Sequence, residues 1–211
     1  MSEAFDAALA RLYEVFAAPT PHAIEGCPCC IGTRKTDILL SKPLRTLSDR
    51  DLARYGSGVF LTVGGARDFA YLLPRLLELS ATTSGWYPSP EVVLGKLRLA
   101  SWDSWSRSER EAVLAFLSVW FDRVAEGGAE GGAEGGWAVT AIEELLCGLA
   151  RAGLDLAPYL ERLSAPENLS GLVDLLSWAE GERLDPDKPR SFWEEAPDGW
   201  RSLTSFVMPR L

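Results

Sequence analysis

The sequence is poor in the residues and patterns that most often carry enzyme chemistry. It has one histidine and four cysteines in 211 residues. The nucleophile-elbow, P-loop, dinucleotide-binding and His-Glu-x-x-His patterns are absent. Its acidic residues fall at ordinary helix-surface positions, such as Glu143-Glu144 and Glu194-Glu195. No catalytic residue is therefore assigned, and the sequence favours a non-enzymatic protein.

Long apolar runs and an excess of basic residues are also missing. No run approaches the ~18–20 apolar residues that a membrane span needs. The first residues lack the basic region and apolar core of a secretory signal. The chain has 30 acidic and 21 basic residues, which excludes a globally basic surface for nucleic acid. We expect a cytoplasmic protein that binds neither nucleic acid nor membrane.

The negative charge is concentrated in the C-terminal part of the chain. Residues 1–121 hold 13 acidic and 13 basic side chains, whereas residues 122–211 hold 17 and 8, for a net charge of −9. An acidic half attracts basic partners and speeds their encounter. The alternative interpretation is that the charge serves solubility alone.

Helical periodicity dominates the sequence and predicts an all-α fold. No run of alternating strands occurs, and no strand precedes a glycine-rich loop and a helix. We predict antiparallel helix pairs, as a bundle or a short irregular helical array, with an irregular Cys-rich loop near the N-terminus. The predicted helices cover residues 2–17, 48–63, 68–80, 90–99, 107–124, 137–152, 158–163 and 166–178.

Local signals set several of these helix boundaries. Ser48 with Asp51, and Ser106 with Glu109, have the spacing of capping boxes. Residues 59–63, VFLTV, could form a short strand, but we favour a helix that continues to Val63 and stops at two glycines. Pro74 lacks an N–H, so it should kink or restart its helix.

The pattern predicts two helical parts joined by a linker. Residues 1–124 form a helical domain that contains the Cys-rich loop, residues 19–47. Residues 125–136 repeat Ala-Glu-Gly-Gly and predict a flexible linker, since so many glycines cannot hold a helix. Residues 137–211 form a helical C-terminal part, whose aromatic tail should pack back on the helices.

One concentrated cluster of reactive residues lies in the Cys-rich loop. It comprises His22, Cys27, Cys29 and Cys30. Thiolates and imidazole are the preferred zinc ligands, and Cys27 and Cys30 have Cys-x-x-Cys spacing. Cys29 and Cys30 are adjacent and would point apart, so Cys147 is an alternative fourth ligand.

Two other interpretations of this cluster stay open. The thiols could be small buried hydrophobes that pin a loop, with no metal. They could also perform redox chemistry as a thiol sensor or enzyme. A thioredoxin-like site needs a strand before the cysteines and a helix after them, and the flanking sequence indicates neither.

Two further features suggest contacts with a partner. Trp102 and Trp105, just ahead of a predicted helix, are the candidates for exposed anchors, and packing against that helix is the alternative. A basic stretch runs from Arg34 to Arg54, with three aspartates interspersed. It could contact an acidic partner or the chain's own acidic half, or form internal ion pairs on a solvated face.

Several strings of the sequence together resemble a bacterial family of helical proteins. They are HAIEGCPCC, SKPLRTLSDRDLARY, DFAYLLPRLLEL and EVVLGKLRLASWDSWSRSEREAVLAFLSVWF. In that family a Gly-Cys-Pro-Cys-Cys element precedes a helical body with an Asp-Phe-x-Tyr-x-Leu-Pro-Arg segment. The resemblance covers about residues 5–124 and, more loosely, Phe192-Trp193. It implies a helical body and no particular activity, and this chain departs from it in the AEGG insertion and in Gly56 and Gly58.

These observations predict a cytoplasmic protein-binding protein of immunity or adaptor type. Its acidic C-terminal half would attract a basic protein partner, and aromatic residues would anchor that partner. The alternative is a thiol-based redox sensor or enzyme that uses Cys27, Cys29 or Cys30. A zinc cofactor that stabilises the loop is compatible with the first interpretation.

Overall fold

The protein is described by a computed structural model that covers residues 3–27, 36–83, 85–127 and 138–211, with side chains from Ile142 onwards in the last range. These residues form ten α-helices and no β-strand, which confirms the all-α prediction. The helices are α1 Glu3–Val15, α2 Asp37–Ser41, α3 Asp49–Gly58, α4 Ala66–Thr82, α5 Pro90–Leu99, α6 Arg107–Ala125, α7 Ala138–Arg151, α8 Ala157–Leu163, α9 Leu169–Glu180 and α10 Pro197–Val207. Short 3-10 turns lie at Leu44–Thr46, Trp102–Ser104, Pro166–Asn168, Ser191–Glu195 and Met208–Arg210.

The chain forms two compact units, Met1–Leu117 and Ser118–Leu211. Helix α6 contributes residues to both, because it runs without a break from Arg107 to Ala125. The predicted domain boundary after residue 124 falls at the end of this same helix. Residues 128–136 of the predicted linker lie outside the described residues.

Helix α4 forms the centre of the first unit. Helices α1, α3 and α5 all contact it. Its sequence is apolar on most sides, and the completely buried residues are Phe69, Leu72, Leu73, Leu76 and Leu77. Of the two expected effects of Pro74, a restart of the helix is wrong, since α4 continues through this residue to Thr82, and a kink stays a prediction. Packing on three sides holds a helix that the proline alone would weaken.

Both predicted capping boxes are confirmed. The Asp51 amide donates to Ser48 Oγ at 3.2 Å, and the Ser48 amide donates to Asp51 Oδ2 at 2.9 Å. The Glu109 amide donates to Ser106 Oγ at 3.3 Å, and the Ser106 amide donates to Glu109 Oε2 at 2.8 Å. Each pair satisfies amides that the first helical turn leaves without a partner, and so fixes where α3 and α6 begin.

The predicted continuation of α3 to Val63 is wrong, because the helix ends at Gly58. Val59 leaves the helical conformation, with φ of −57° and ψ of 139°, and the amides of Leu61 and Thr62 both donate to the Gly58 carbonyl. Val59 and Val63 are buried. Gly26 and Val63 form an isolated antiparallel bridge, so pairing with a distant segment replaces the next helical turn.

The second unit is organised around α7. Helices α9 and α10 and the 3-10 turn Ser191–Glu195 contact it. The aromatic tail packs into this unit, where the Trp193 and Trp200 ring centroids are 5.7 Å apart and both rings are buried. Phe192 stays exposed, contrary to the expectation for the tail. The helix predicted from Pro166 begins instead at Leu169, after a 3-10 turn.

Candidate functional site

The described part of the Cys-rich loop is tied to the end of α3 by backbone hydrogen bonds. The Cys27 amide donates to the Thr62 carbonyl at 3.0 Å, and the Gly64 amide donates to the Glu25 carbonyl at 2.6 Å. Ile24 is buried, whereas His22 and Cys27 are exposed. The loop therefore holds Cys27 in a fixed backbone position with its side chain at the surface.

The turn that carries this pairing contains an unusual backbone conformation. Phe60 has φ of 64°, which a non-glycine residue adopts only when its surroundings enforce it. The Phe60 ring packs on Phe69, with centroids 5.1 Å apart, and the Phe60 amide donates to the Val63 carbonyl. As a result Leu61 projects outwards and is 68% exposed.

The predicted zinc ligands lie only partly within the described residues. Cys29 and Cys30 are outside them. Cys147 is buried in α7 of the second unit. Among the residues that the structure describes, no three His, Cys, Asp or Glu side chains converge to hold a metal ion. Zinc binding by His22, Cys27, Cys29 and Cys30 stays a prediction.

The expectation that Trp102 is an exposed anchor is wrong. Its side chain is 8% exposed, within the 3-10 turn that follows α5. Trp105 is half-buried: its ring packs edge-on against Phe16 at 5.5 Å, and its Nε1 donates to the Ala100 carbonyl at 3.2 Å. Both residues contribute to packing in the first unit, and no contact here tests a role in partner binding.

Lys42 and Arg45, in the described part of the basic stretch, have partners within the first unit. Lys42 Nζ lies 2.9 Å from Asp51 Oδ2, and the Arg45 guanidinium stacks 3.6 Å from the Tyr13 ring centroid. Hydrogen bonds from Lys42 and from the Ser48 amide lower the pKa of Asp51. These contacts agree with the interpretation of internal ion pairs on a solvated face.

The second unit carries the acidic excess that the sequence predicted. In the described part of this unit, basic side chains form the ion pairs Arg151–Glu195, Arg162–Asp122, Lys188–Asp185, Arg190–Glu182 and Arg201–Asp198. Glu167, Asp174 and Glu180 form no ion pair or hydrogen bond through their side chains among the described residues. These three carboxylates all belong to α9 or to the turn before it.

Helix α9 exposes apolar side chains that the sequence analysis did not single out. Leu169 is 59% exposed and Val173 is 52% exposed, and Leu172 and Leu176 beside them are half-buried. We call these four residues the α9 stripe. The sequence did contain a sign of these exposed residues. The segment LSGLVDLLSW is apolar over a wider part of the helix surface than packing on one side requires.

Comparison with protein-family models, with curated proteins and with solved structures found no match. None of the helices in the described ranges combines the length and the apolar character that crossing a lipid bilayer requires.

Proposed function

We propose that the protein is a non-enzymatic binding protein whose second unit recognises a basic protein partner, in an immunity or adaptor role. The observation that carries the proposal is the distribution of charge. The second unit has 17 acidic and 8 basic residues, whereas the first unit has equal numbers of both. Such a field raises association rates about 10- to 1,000-fold at low salt.

The arrangement of ion pairs supports this proposal. Most of the described basic side chains of the second unit are already paired within it. Glu167, Asp174 and Glu180 have no such pairing and lie close together in the chain, beside exposed apolar side chains. Carboxylates without internal partners are available to guanidinium and ammonium groups of another protein.

Photo-crosslinking in cells of the source organism tests the proposal. A photo-reactive residue at Ser177, exposed on α9, should capture a protein with a high isoelectric point, whereas the same residue at Ser108, exposed on α6, should not. The purified pair should then lose affinity at least about tenfold between 50 and 300 mM NaCl, as expected when charge attraction contributes to binding. An acidic captured protein, or an affinity that is independent of salt, would overturn the proposal.

A thiol-based redox sensor or enzyme is the second candidate function, and the exposure of Cys27 favours it. Reactive thiols are partly exposed, whereas structural ones are buried, as Cys147 is. Alkylation rates measured between pH 5 and 9 in the folded protein distinguish the two candidates. A sensor requires a thiol that reacts at acidic pH before unfolding, and reaction only after unfolding would exclude it.

Zinc is proposed as a structural cofactor of the Cys-rich loop under either function. Elemental analysis of protein purified without added metal should give close to one equivalent. The His22→Ala and Cys27→Ser variants should lose both zinc and thermal stability, since structural zinc contributes directly to folding. If the protein contains no zinc and the variants keep its stability, the proposal of zinc is wrong and the backbone hydrogen bonds of the loop stabilise it without a metal.

A further inference from the structure

We propose that the α9 stripe is the docking site for a basic amphipathic helix of the protein partner. This inference rests on the proposed function, since it names the part of the partner that the second unit would bind. The partner segment has apolar side chains on one helical face and lysine or arginine on the rest of the helix.

Helix α9 is apolar over a wide part of its surface, and the fold covers only part of it. Gly171, Leu175 and Ala179 are buried, and α9 packs on α7, α8 and α10. The stripe continues from the buried face around the helix, with Leu172 and Leu176 half-buried and Leu169 and Val173 exposed. Its residues Leu169, Leu172, Val173 and Leu176 follow the spacing i, i+3, i+4 and i+7, which places them side by side. That spacing is the one by which helices pair with each other.

The stripe is preformed, because the N-terminal half of α9 is held tightly. A side-chain carbon at Gly171 would lie 2.7 Å from the backbone of Ala125, so the two segments are in direct backbone contact. The Asn168 Nδ2 donates to the Arg162 carbonyl at 2.9 Å and fixes the turn that leads into the helix. A helix that is already ordered has little conformational entropy to lose when a partner binds.

Charge specifies the partner. No lysine or arginine occurs between Ala165 and Glu182. Glu167 precedes the stripe in the 3-10 turn and Glu180 follows it on the same side of α9, and neither forms an ion pair among the described residues. A second copy of this chain would bring these carboxylates together with one another, which is unfavourable. The chain's own segment from Gly127 to Gly136 contains only Ala, Glu and Gly, so it offers neither large apolar anchors nor positive charge.

Three synthetic peptides of about 14 residues, or roughly four helical turns, test the docking site on the full chain. The first has leucine at i, i+3, i+4 and i+7 and lysine elsewhere among alanines, the second scrambles that composition, and the third replaces lysine by glutamate. We expect the first to bind at least about tenfold more tightly than the second, a difference of about 1.4 kcal/mol, and the third not to bind. Fluorescence anisotropy gives the Kd.

Matched variants locate the binding. Leu169→Ser/Val173→Ser should weaken binding of the first peptide at least tenfold, whereas Leu61→Ser/Leu99→Ser, which removes comparably exposed leucines from the first unit, should leave the Kd unchanged. Glu167→Gln/Glu180→Gln should weaken binding several-fold more than Asp187→Asn/Glu194→Gln, which removes the same charge from the same unit. Circular dichroism melting checks that each variant stays folded; the residues changed are all exposed.

The failures of this inference and of the proposed function are distinguishable. Equal binding of the amphipathic and scrambled peptides, or equal effects of the matched variants, would overturn the α9 stripe and leave attraction of a basic partner standing. No binding of either basic peptide would count against both the docking site and the proposed function.

Two results would show that something other than a partner helix covers the stripe. A dimer in sedimentation velocity that Leu169→Ser/Val173→Ser converts to monomer would make a second copy the occupant. Peptide binding that appears only after deletion of residues 128–136 would assign the stripe to the chain's own segment, and either result would overturn the proposal.

Discussion

Asp68 is the residue on which the end of α3 and the start of α4 both depend. Its Oδ2 accepts a hydrogen bond from the Tyr55 hydroxyl at 2.6 Å, and its Oδ1 accepts one from the Gly65 amide at 3.0 Å. Burial, followed by the neighbouring Asp68 charge and hydrogen bond, raises the pKa of Tyr55 well above its ordinary value. The neutral phenol is therefore the form that the folded protein requires.

Replacing Tyr55 by phenylalanine removes this buried hydrogen bond and leaves Asp68 without one of its donors. We expect the free energy of unfolding at pH 7 to fall by about 1–3 kcal/mol, because a buried acceptor loses a partner. Urea denaturation measures the change. Tyr87→Phe, at an exposed tyrosine, is the control and should be neutral within about 0.5 kcal/mol.

The same tyrosine predicts a loss of stability at alkaline pH. Its folded-state pKa is raised, so its contribution is complete below the unfolded-state pKa near 10 and declines as the pH rises further. Burial also raises the pKa values of Tyr13 and Tyr159, which act in the same direction. Between pH 10 and 11.5 the unfolding free energy of Tyr55→Phe should fall less steeply than that of the parent, by about 0.7 kcal/mol per pH unit at first and approaching about 1.4 kcal/mol per pH unit. Parallel pH curves for the two proteins would contradict this assignment.

Gly64 combines a positive φ with a lack of space. Its φ is 70°, and a side-chain carbon would lie 2.3 Å from Asp68 Oδ2 and 2.9 Å from the Tyr55 ring. Gly64→Ala should therefore destabilise the protein by more than the roughly 1–2 kcal/mol that the left-handed conformation alone costs. Gly85→Ala separates the two effects, since Gly85 has φ of 66° with open space around it. Thermal melting should rank the parent above Gly85→Ala, and Gly85→Ala above Gly64→Ala.

At the scale of secondary-structure elements, the sequence predicts structure best where the signal is local. The capping boxes at Ser48 and Ser106 were predicted because each needs only residues three positions apart. The end of α3 was not, because Val63 pairs with Gly26, which is far away in the chain. For Pro74 the sequence predicted a kink or a restart, and it could not show that packing lets α4 continue as one helix, because that packing involves residues distant in the chain.

Close approach of backbones decides the effect of a substitution within α9. Gly171→Ala improves helix propensity by about 1 kcal/mol, but its side-chain carbon would lie 2.7 Å from Ala125 Cα and O. Since backbone atoms cannot move aside as a flexible side chain can, we expect a net destabilisation of about 1–3 kcal/mol. Gly181→Ala, whose nearest neighbour would be at 3.5 Å, is the control and should be neutral or slightly stabilising. A melting temperature raised by Gly171→Ala would contradict the close contact.

For the candidate site, what the sequence alone could predict was charge and not shape. The acidic excess of residues 122–211 follows from counting, and the structure adds which carboxylates have no ion pair among the described residues. Trp102 was expected at the surface because tryptophan is favoured at interfaces, but a ring of that size also stabilises a core when the backbone turns it inwards. The sequence shows that α9 is apolar over a wide part of its surface, but only packing shows that Leu169 and Val173 are the residues left uncovered.

At the scale of the whole molecule, the uneven charge has a consequence for behaviour in mild acid. At the isoelectric point near pH 4.8 the total charge is zero. The first unit has equal numbers of acidic and basic residues and is neutral at pH 7, so partial protonation of its carboxylates makes it positive at pH 4.8. The second unit must then carry an equal negative charge at pH 4.8. Molecules with oppositely charged halves attract one another even though each has no net charge.

Turbidity at pH 4.8 should therefore be high in about 10 mM salt and should clear in about 300 mM NaCl, because the Debye length falls well below molecular dimensions. If exposed apolar surface caused the precipitation, the turbidity would persist in about 300 mM NaCl, since added salt does not weaken apolar association. The clarity of such a solution thus reports on the separation of charge along the polypeptide, and it supplies a handle for purification by reversible precipitation.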